Sequence, residues 1–338
     1  MRSSDTSASE GTEVSGELPS YMIIVEEPEL YQHPDRQRHL AKVFSKLAGD
    51  PIQGVSNTTQ VCYCTHSPLF VCIDRFEDIR LCHKIRGSHS NTPKQTGIEQ
   101  ASINAVCEKL QKRNDAQNHR SVLSKLETIM TPLMNEGFFA HAVVLVEGDD
   151  DRGAILAAAK YLGYDLEGMG IAVIPCVGKS NLDRPWAVFT TLGIPVYVVW
   201  DGDADFCKNP KSNDCSQCDQ VDASGRTLKS KCKAHPSTNQ NLLEILGEQP
   251  VPWPERRVKS RYACFRTNLE MTIKKELTPS VYDELFETIT NELGIDKSEH
   301  AIKNPAVIKN MLERATLEHG KKSKTLEQIV KNVVRLSG

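Results

Sequence analysis

The stretch AVVLVEGDDDRGAI, residues 142–155, decides how the chain reads. Its first five residues are apolar and three of them are valine, which is the length and β-branched character of a fully buried strand. Glu147, Gly148 and three aspartates follow at once. Charged groups at the exit of a core strand cost stability unless something uses them. The segment DDRGAILAAAKYLG (150–163) predicts a helix that Gly163 stops. Asp151 then falls in the first helical turn, where the helix dipole favours a carboxylate, four residues from Glu147.

Working outward, IAVIPCVG (171–178) reads as a second strand and RPWAVFTTLG (184–193) as a helix with proline near its start. PVYVVWDGDAD (195–205) reads as a third strand with a second acidic end, Asp201 and Asp203. Strands separated by helices of about 10 to 15 residues imply a parallel sheet with right-handed crossovers. Sites in such sheets form beyond the carboxyl ends of the strands, so the two acidic groups are expected to meet. Side chains at i and i+2 of a strand share a face, so Asp201 and Asp203 are expected to reach one ion. Hard divalent cations take oxygen ligands, and two of them can activate water and stabilise the leaving oxygen in phosphodiester cleavage. One acidic strand end is more often a solvated cap; two on consecutive strands of one sheet favour the metal site.

The 338 residues suggest about two domains, an α/β fold in each. Apolar content of 39% and charged content of 25% are ordinary for a water-soluble chain. No run of 18 apolar residues spans a membrane, and the N-terminus has no apolar signal core, so a cytoplasmic protein is expected. A net charge of −3 does not advertise nucleic-acid binding, yet a bunched acidic site lowers the total without removing a basic groove. The 11 cysteines read as reduced thiols, some of them candidates for metal.

Residues 1–20 are polar and expected to be a disordered tail. YMIIVEEPEL (21–30) is an apolar strand ending in acid, RQRHLAKVFSKLA (36–48) a helix, and VCYCTHSPLFV (61–71) and DIRLCHKI (78–85) two more strands. Residues 86–98 read as a polar linker within a linker and helical segment, 86–137, and residues 241–338 as mostly helical. GKSN (178–181) lacks the first glycine of a phosphate loop; Lys179 and Ser180 could meet a DNA phosphate, although a helix-capping turn explains them as well.

The acidic pattern resembles the Toprim domain, marked by E-G-x-x-D at one strand end and D-x-D on a later strand. Here these are Glu147-Gly148-Asp149-Asp150-Asp151 and Asp201-Gly202-Asp203. YMIIVEEPELYQHP resembles a Walker B strand of ABC-type ATPases, with Glu26 on the Mg²⁺ side and Glu27 as the water-activating carboxylate. Thr65-His66-Ser67 resembles the switch-histidine motif. An ABC-type segment followed by Toprim is similar to the OLD (overcoming lysogenisation defect) family of ATP-linked DNA nucleases.

That resemblance implies a remnant of the ATPase domain at 21–85 and a Toprim nuclease domain at 138–338. It implies Mg²⁺ or Mn²⁺ in a two-metal site at Glu147, Asp151, Asp201, Asp203 and Glu270, with Glu147 and Lys324 catalytic; Lys321 and Lys322 compete with Lys324. It further implies a DNA partner, self-association through the ATPase or helical segments, and a role in phage defence. The chain departs from the family in having no G-x-x-x-x-G-K-S/T loop, so ATP is expected only if a missing ATPase half is supplied. The expected function is a metal-dependent DNA endonuclease. The alternatives are a non-catalytic nucleic-acid-binding Toprim module of the recombination-mediator type and an inactive fragment.

A Cys-rich insertion, 206–240, interrupts the Toprim segment. Cys215 and Cys218, then thirteen residues, then Cys232 and His235 give two short-spaced ligand pairs that suit structural Zn²⁺, and free thiols in a surface loop would look the same. The basic stretches RTLKSKCK (226–233) and RRVKSR (256–261) either contact DNA backbone or are solvated.

Overall fold

The computed structural model describes residues 20–49, 58–85, 95–112, 114–129, 131–204, 228–296 and 304–337. They form two compact units, one up to Phe70 and one from Val71 onward.

In the first unit, strand β1 (Ser20–Glu26) leads through helix α1 (Pro34–Gly49) to strand β2 (Thr58–Cys64). The two strands pair in parallel over their whole length, with Glu26 opposite Cys64. A parallel pair needs a crossover, and α1 supplies it. Asp35 in its first turn and Lys46 in its last complement the helix dipole. Phe44, Tyr63 and Phe70 fasten the helix to the strand, with ring centroids 5.4 to 6.3 Å apart. Tyr21, Met22 and Ile24 of β1 are exposed.

The second unit begins with an antiparallel ribbon, β3 (Leu81–Ile85) against β4 (Gln95–Glu99). Gln95–Glu99 therefore departs from the expected linker. Four of its five side chains are exposed, so the backbone pairs without the apolar alternation that sequence reading relies on. Three short helices follow: α2 (Ile103–Lys109), α3 (Ala116–Thr128) and α4 (Pro132–Glu136). Each is capped by a side chain, Ser102, Asp115 or Thr131, that accepts from a backbone N–H of the first turn.

The core alternates β5 (Ala142–Val146), α5 (Asp149–Tyr161), β6 (Ile171–Pro175), α6 (Asp183–Thr191) and β7 (Val196–Asp201). Helix α7 (Leu228–Ile245), strands β8 (Arg257–Val258) and β9 (Tyr262–Phe265), and helices α8 (Leu269–Leu277), α9 (Pro279–Leu293), α10 (Pro305–His319) and α11 (Lys324–Leu336) complete it. The start of α7 lies inside the segment read as an aperiodic insertion. Pro236 within it and the polar run before Leu242 hide the helical period.

The five strands are ordered β6-β5-β7-β9-β8, parallel except for β8. Both faces are covered, which is why β5 is an unbroken apolar run. Ala142, Val144 and Val146 pack on one side with α5, α8, α10 and α11; Val143 and Leu145 pack on the other with α2, α3 and α6. The chain leaves β5 toward β6 on one side and returns to β7 on the other. The connections diverge between β5 and β7, which leaves a crevice at their carboxyl ends. No helix among the described residues is long and apolar enough to cross a membrane.

Candidate metal centre at the carboxyl ends of β5 and β7

Glu147 leaves β5 and Asp201 ends β7, so the sheet brings them to the two lips of that crevice. They are joined directly: the Asp201 N–H donates to Glu147 Oε1 at 2.6 Å. Asp201 Oδ1 in turn accepts from the N–H of Leu269, the first residue of α8, at 3.0 Å. Asp151, in the first turn of α5, accepts from the Gly148 N–H at 3.3 Å and closes the strand-to-helix turn. Glu270 opens α8 beside Asn268, the cap of that helix, and accepts from the Tyr282 hydroxyl at 3.1 Å. Glu147, Asp150, Asp151, Asp201, Asn268 and Glu270 line one cleft of about 280 Å³.

Burial lifts the Glu147 carboxyl to about 7; the Asp201 N–H and Lys179 pull it down, and Asp203 and Asp151 push it up. Asp201 is raised well above the usual carboxylate range by burial, then by the charges of Asp151, Glu147 and Asp203, against the Leu269 N–H. Like charges held together out of water are each driven toward the neutral form. A divalent cation removes that conflict, and the donors here are the hard oxygens such a cation prefers. The chemistry of the residues therefore fits Mg²⁺ or Mn²⁺. Among the described residues no group of three or more His, Cys, Asp or Glu side chains is gathered tightly enough to hold an ion as it stands. Glu147, Asp151 and Asp201 each accept from a backbone amide and Glu270 from the Tyr282 hydroxyl, so ligation requires these side chains to rearrange within the cleft.

Asp203 departs from expectation. Strand β7 ends at Asp201, and Asp203 has φ +55°, in the left-handed region, so the side-sharing of i and i+2 does not extend to it. Its Oδ2 meets Lys179 Nζ at 2.6 Å and His235 Nδ1 at 2.9 Å, and it does not line the cleft. Burial acts to raise its pKa, but the His235 hydrogen bond and Lys179 outweigh it and hold the carboxyl below its ordinary value. The bend depends on Gly202. Its N–H donates to Phe265 O at 2.8 Å, and a Cβ there would lie 2.3 Å from that oxygen and 2.6 Å from Arg266 O. Buried Asn239 of α7 bonds Gly202 O at 3.0 Å and Pro252 O at 2.9 Å.

Lys179 is the residue that sequence reading undervalued. It is buried at 6% exposure, and its Nζ also donates to Asp201 O at 2.8 Å. The available signal was its position: the loop after β6 opens at the same end of the sheet as both acidic groups. His235 likewise meets Asp203. Cys215 and Cys218 lie outside the described residues, and Cys232 falls in the part of α7 whose side chains are not described.

Lys324 is not brought to the cleft. It is exposed at the start of α11, where its neighbours Ser323 and Thr325 bond Glu276. Glu276 is six residues beyond Glu270 on α8, roughly 9 Å along the helix axis.

In the first unit, Glu26 and Glu27 end β1 where Thr65 and His66 leave β2. His66 Nε2 lies 3.6 Å from Glu27 Oε1, and Glu27 has φ +44°. Glu29, not singled out in the sequence, holds the turn. It accepts from the His66 N–H at 2.6 Å and the Thr65 hydroxyl at 2.8 Å.

Two family descriptions match the chain. Residues 138–203 match the Toprim domain of overcoming lysogenization defect protein-like proteins, and residues 10–71 match an AAA ATPase domain. An OLD nuclease of Thermus scotoductus is 33% identical over 181 residues, 54% of this chain and 30% of that protein. The Old nuclease of Escherichia phage P2 is 24% identical over 191 residues, 56% of this chain and 28% of that protein. The chain thus spans under a third of the length of these curated relatives. Among solved structures, the C-terminal region of the Burkholderia pseudomallei OLD protein aligns at 17% identity and TM-score 0.33, over 59% of this chain and all of that one.

Proposed function

Because residues 138–203 match the Toprim domain of overcoming lysogenization defect protein-like proteins, we propose that this chain is a metal-dependent nuclease acting on DNA. The observation that carries this reading is the pair Glu147 and Asp201, hydrogen-bonded to each other through the Asp201 amide and both driven toward protonation at the mouth of an acidic cleft. Glu147, Asp151, Asp201 and Glu270 would hold Mg²⁺ or Mn²⁺, with Asp150 as a further donor. When bound, such a cation supplies charge neutralisation, a water acidified toward neutral pH, and stabilisation of the leaving oxygen.

The chain's own residues do the rest. Glu147 is fixed by the Asp201 amide, which would hold its carboxylate in place as a ligand. Asp201 is oriented by the start of α8. Lys179, locked by Asp203 and the Asp201 carbonyl, replaces Lys324 as the cation beside the site, where it offsets negative charge on the carboxylates and on a phosphate. Asp203 acts as the anchor for Lys179 and His235. In the first unit, the paired ends of β1 and β2 support an ATPase-type role that takes its phosphate loop from elsewhere.

The test is cleavage of supercoiled plasmid by the full chain with Mg²⁺ or Mn²⁺, without ATP. Metal-dependent nicking should fall by at least about 100-fold in Asp201→Ala and in Glu270→Gln. The second variant leaves the β7 end intact. DNA binding without cleavage at any metal concentration would instead favour a binding module.

A further inference from the structure

A second cavity, of about 180 Å³, opens beside the carboxylate cleft without sharing a residue with it: Gly178 lines the cleft, and Lys179 lines this one. Its walls come from the turn after α2, from α3, from the start of α6 and from α7. They carry Lys112, Lys125, Lys179 and Arg184, with Ser180 and Thr238 between them and Asp183 as the acid. Four cations against one carboxylate is a strong local imbalance, and the pairing makes it sharper. Lys179 is held by Asp203, and Arg184 by Asp183. Lys112 and Lys125 form no ion pair among the described residues, and the charge of Asp183 offsets Lys112 only in part, so the cavity has an excess of positive charge.

Two further observations distinguish this from a solvated basic face. Arg184 is 7% exposed, and its buried Nε has no hydrogen-bond partner among the described residues. A buried guanidinium N–H left without an acceptor is unfavourable. Lys112 is half-buried, and burial, then the Arg184 charge, pull its pKa below the ordinary lysine value. A compact oxyanion with several acceptor atoms suits a cavity walled by Lys112, Lys125, Lys179 and Arg184. The hydroxyls of Ser180 and Thr238 suit its remaining oxygens. The volume is that of roughly six waters, enough for a tetrahedral phosphate and too little for a folded peptide segment.

We propose that this cavity is a phosphate-binding site. The phosphate comes either from a nucleic-acid strand that passes the neighbouring cleft or from a free phosphate or nucleotide. The reading stands on the cavity alone and does not depend on cleavage.

The experiment compares the full wild-type chain with Lys112→Gln/Lys125→Gln, in EDTA so that no hydrolysis occurs. One arm titrates inorganic phosphate at constant ionic strength and follows thermal unfolding. The other follows anisotropy of a labelled single-stranded oligonucleotide across a salt series. If a strand supplies the phosphate, oligonucleotide affinity falls about tenfold in the variant. The slope of log K against log salt then shrinks by about 1.4, at about 0.7 per lost contact on single strands. If free phosphate is the ligand, saturable stabilisation by inorganic phosphate is lost in the variant while oligonucleotide binding is unchanged. The Lys112→Arg/Lys125→Arg chain should retain whichever effect the glutamines remove, which separates lost charge from lost folding. Equal phosphate response and equal salt slope in wild type and the glutamine variant would overturn the site. Failure of plasmid cleavage with these binding effects intact would sink the nuclease reading alone.

Discussion

The molecule places acidic residues beyond the ends of adjacent parallel strands twice, and the two places behave in opposite ways. At the ends of β1 and β2, Glu29 is partly buried, which acts to raise its pKa. Two well-placed donors, the His66 amide and the Thr65 hydroxyl, win, and its carboxyl is held below the ordinary range. At the ends of β5 and β7, Glu147 has one amide donor and several carboxylate neighbours, and it rises to about 7. Both are glutamates beyond the end of a parallel strand, Glu147 directly after β5 and Glu29 three residues after β1. The difference is first the depth of burial, which is far greater at Glu147, and then the balance of donors against like charges. A carboxylate with its donors supplied by the fold acts as a structural clasp. One whose donors fall short is waiting for a ligand.

That contrast can be broken in three ways. The largest effect should come from supplying the missing charge. With Mg²⁺ or Mn²⁺ at about 100 times its dissociation constant, binding linkage stabilises the folded chain by about 2.7 kcal/mol. For a domain of this size that is roughly 5–10 °C in melting temperature. The shift should be nearly absent in Glu147→Gln/Asp201→Asn and unaffected in Glu29→Gln. An unchanged melting temperature in wild type at millimolar metal would remove the distinction between the two strand ends.

A smaller effect should appear with pH in EDTA. The folded Glu147 carboxyl titrates at about 7 against an ordinary 4.5. Its contribution to stability is complete below about pH 4.5 and is lost as pH rises through 7. The full difference corresponds to at most about 3 kcal/mol, and water reaching the cleft brings the expectation to about 1–2 kcal/mol. Urea unfolding should therefore show wild type losing more stability than Glu147→Gln between pH 5 and pH 8. Parallel losses would mean that the carboxyl is not raised. The smallest effect is local: Glu29→Gln weakens the clasp on the Thr65–Ser67 turn by about 1 kcal/mol. It should be read as faster hydrogen exchange at the His66 amide, with exchange at the Asp201 amide unchanged. Here the sign with pH is opposite, since the lowered Glu29 stabilises above its ordinary pKa and the benefit fades as pH falls.

Much of the parallel core was legible because burial on both faces writes itself into sequence as unbroken apolar runs at 142–146, 171–175 and 196–200. The carboxylates that end those runs were legible for the same reason, since an acid at the exit of such a run is conspicuous. What could not be read was set by backbone shape and by distant chain. The left-handed turn at Asp203 took that side chain out of the cleft, and a φ of +55° at a residue other than glycine is only weakly signalled by sequence. Lys179 and His235 reach Asp203 from 24 and 32 residues away in sequence. Only the packing of α7 and the loop after β6 on the same sheet end reveals them. Lys324 sits next to residues that serve the far end of α8, which a short motif match does not resolve.

Gly202 has a consequence for how this site can drift. Replacing either flanking aspartate by asparagine is a single-letter change in the codon and removes a charge while sparing the backbone. Any side chain at position 202 meets the carbonyls of Phe265 and Arg266 and would prise β9 from the end of β7. Leu269, whose amide orients Asp201, follows β9 in the chain and would be carried away with it. Of the three letters in the motif, the one without a side chain is thus the hardest to edit. Inactive descendants of this sequence would be expected to have lost an acid first and to have kept the glycine.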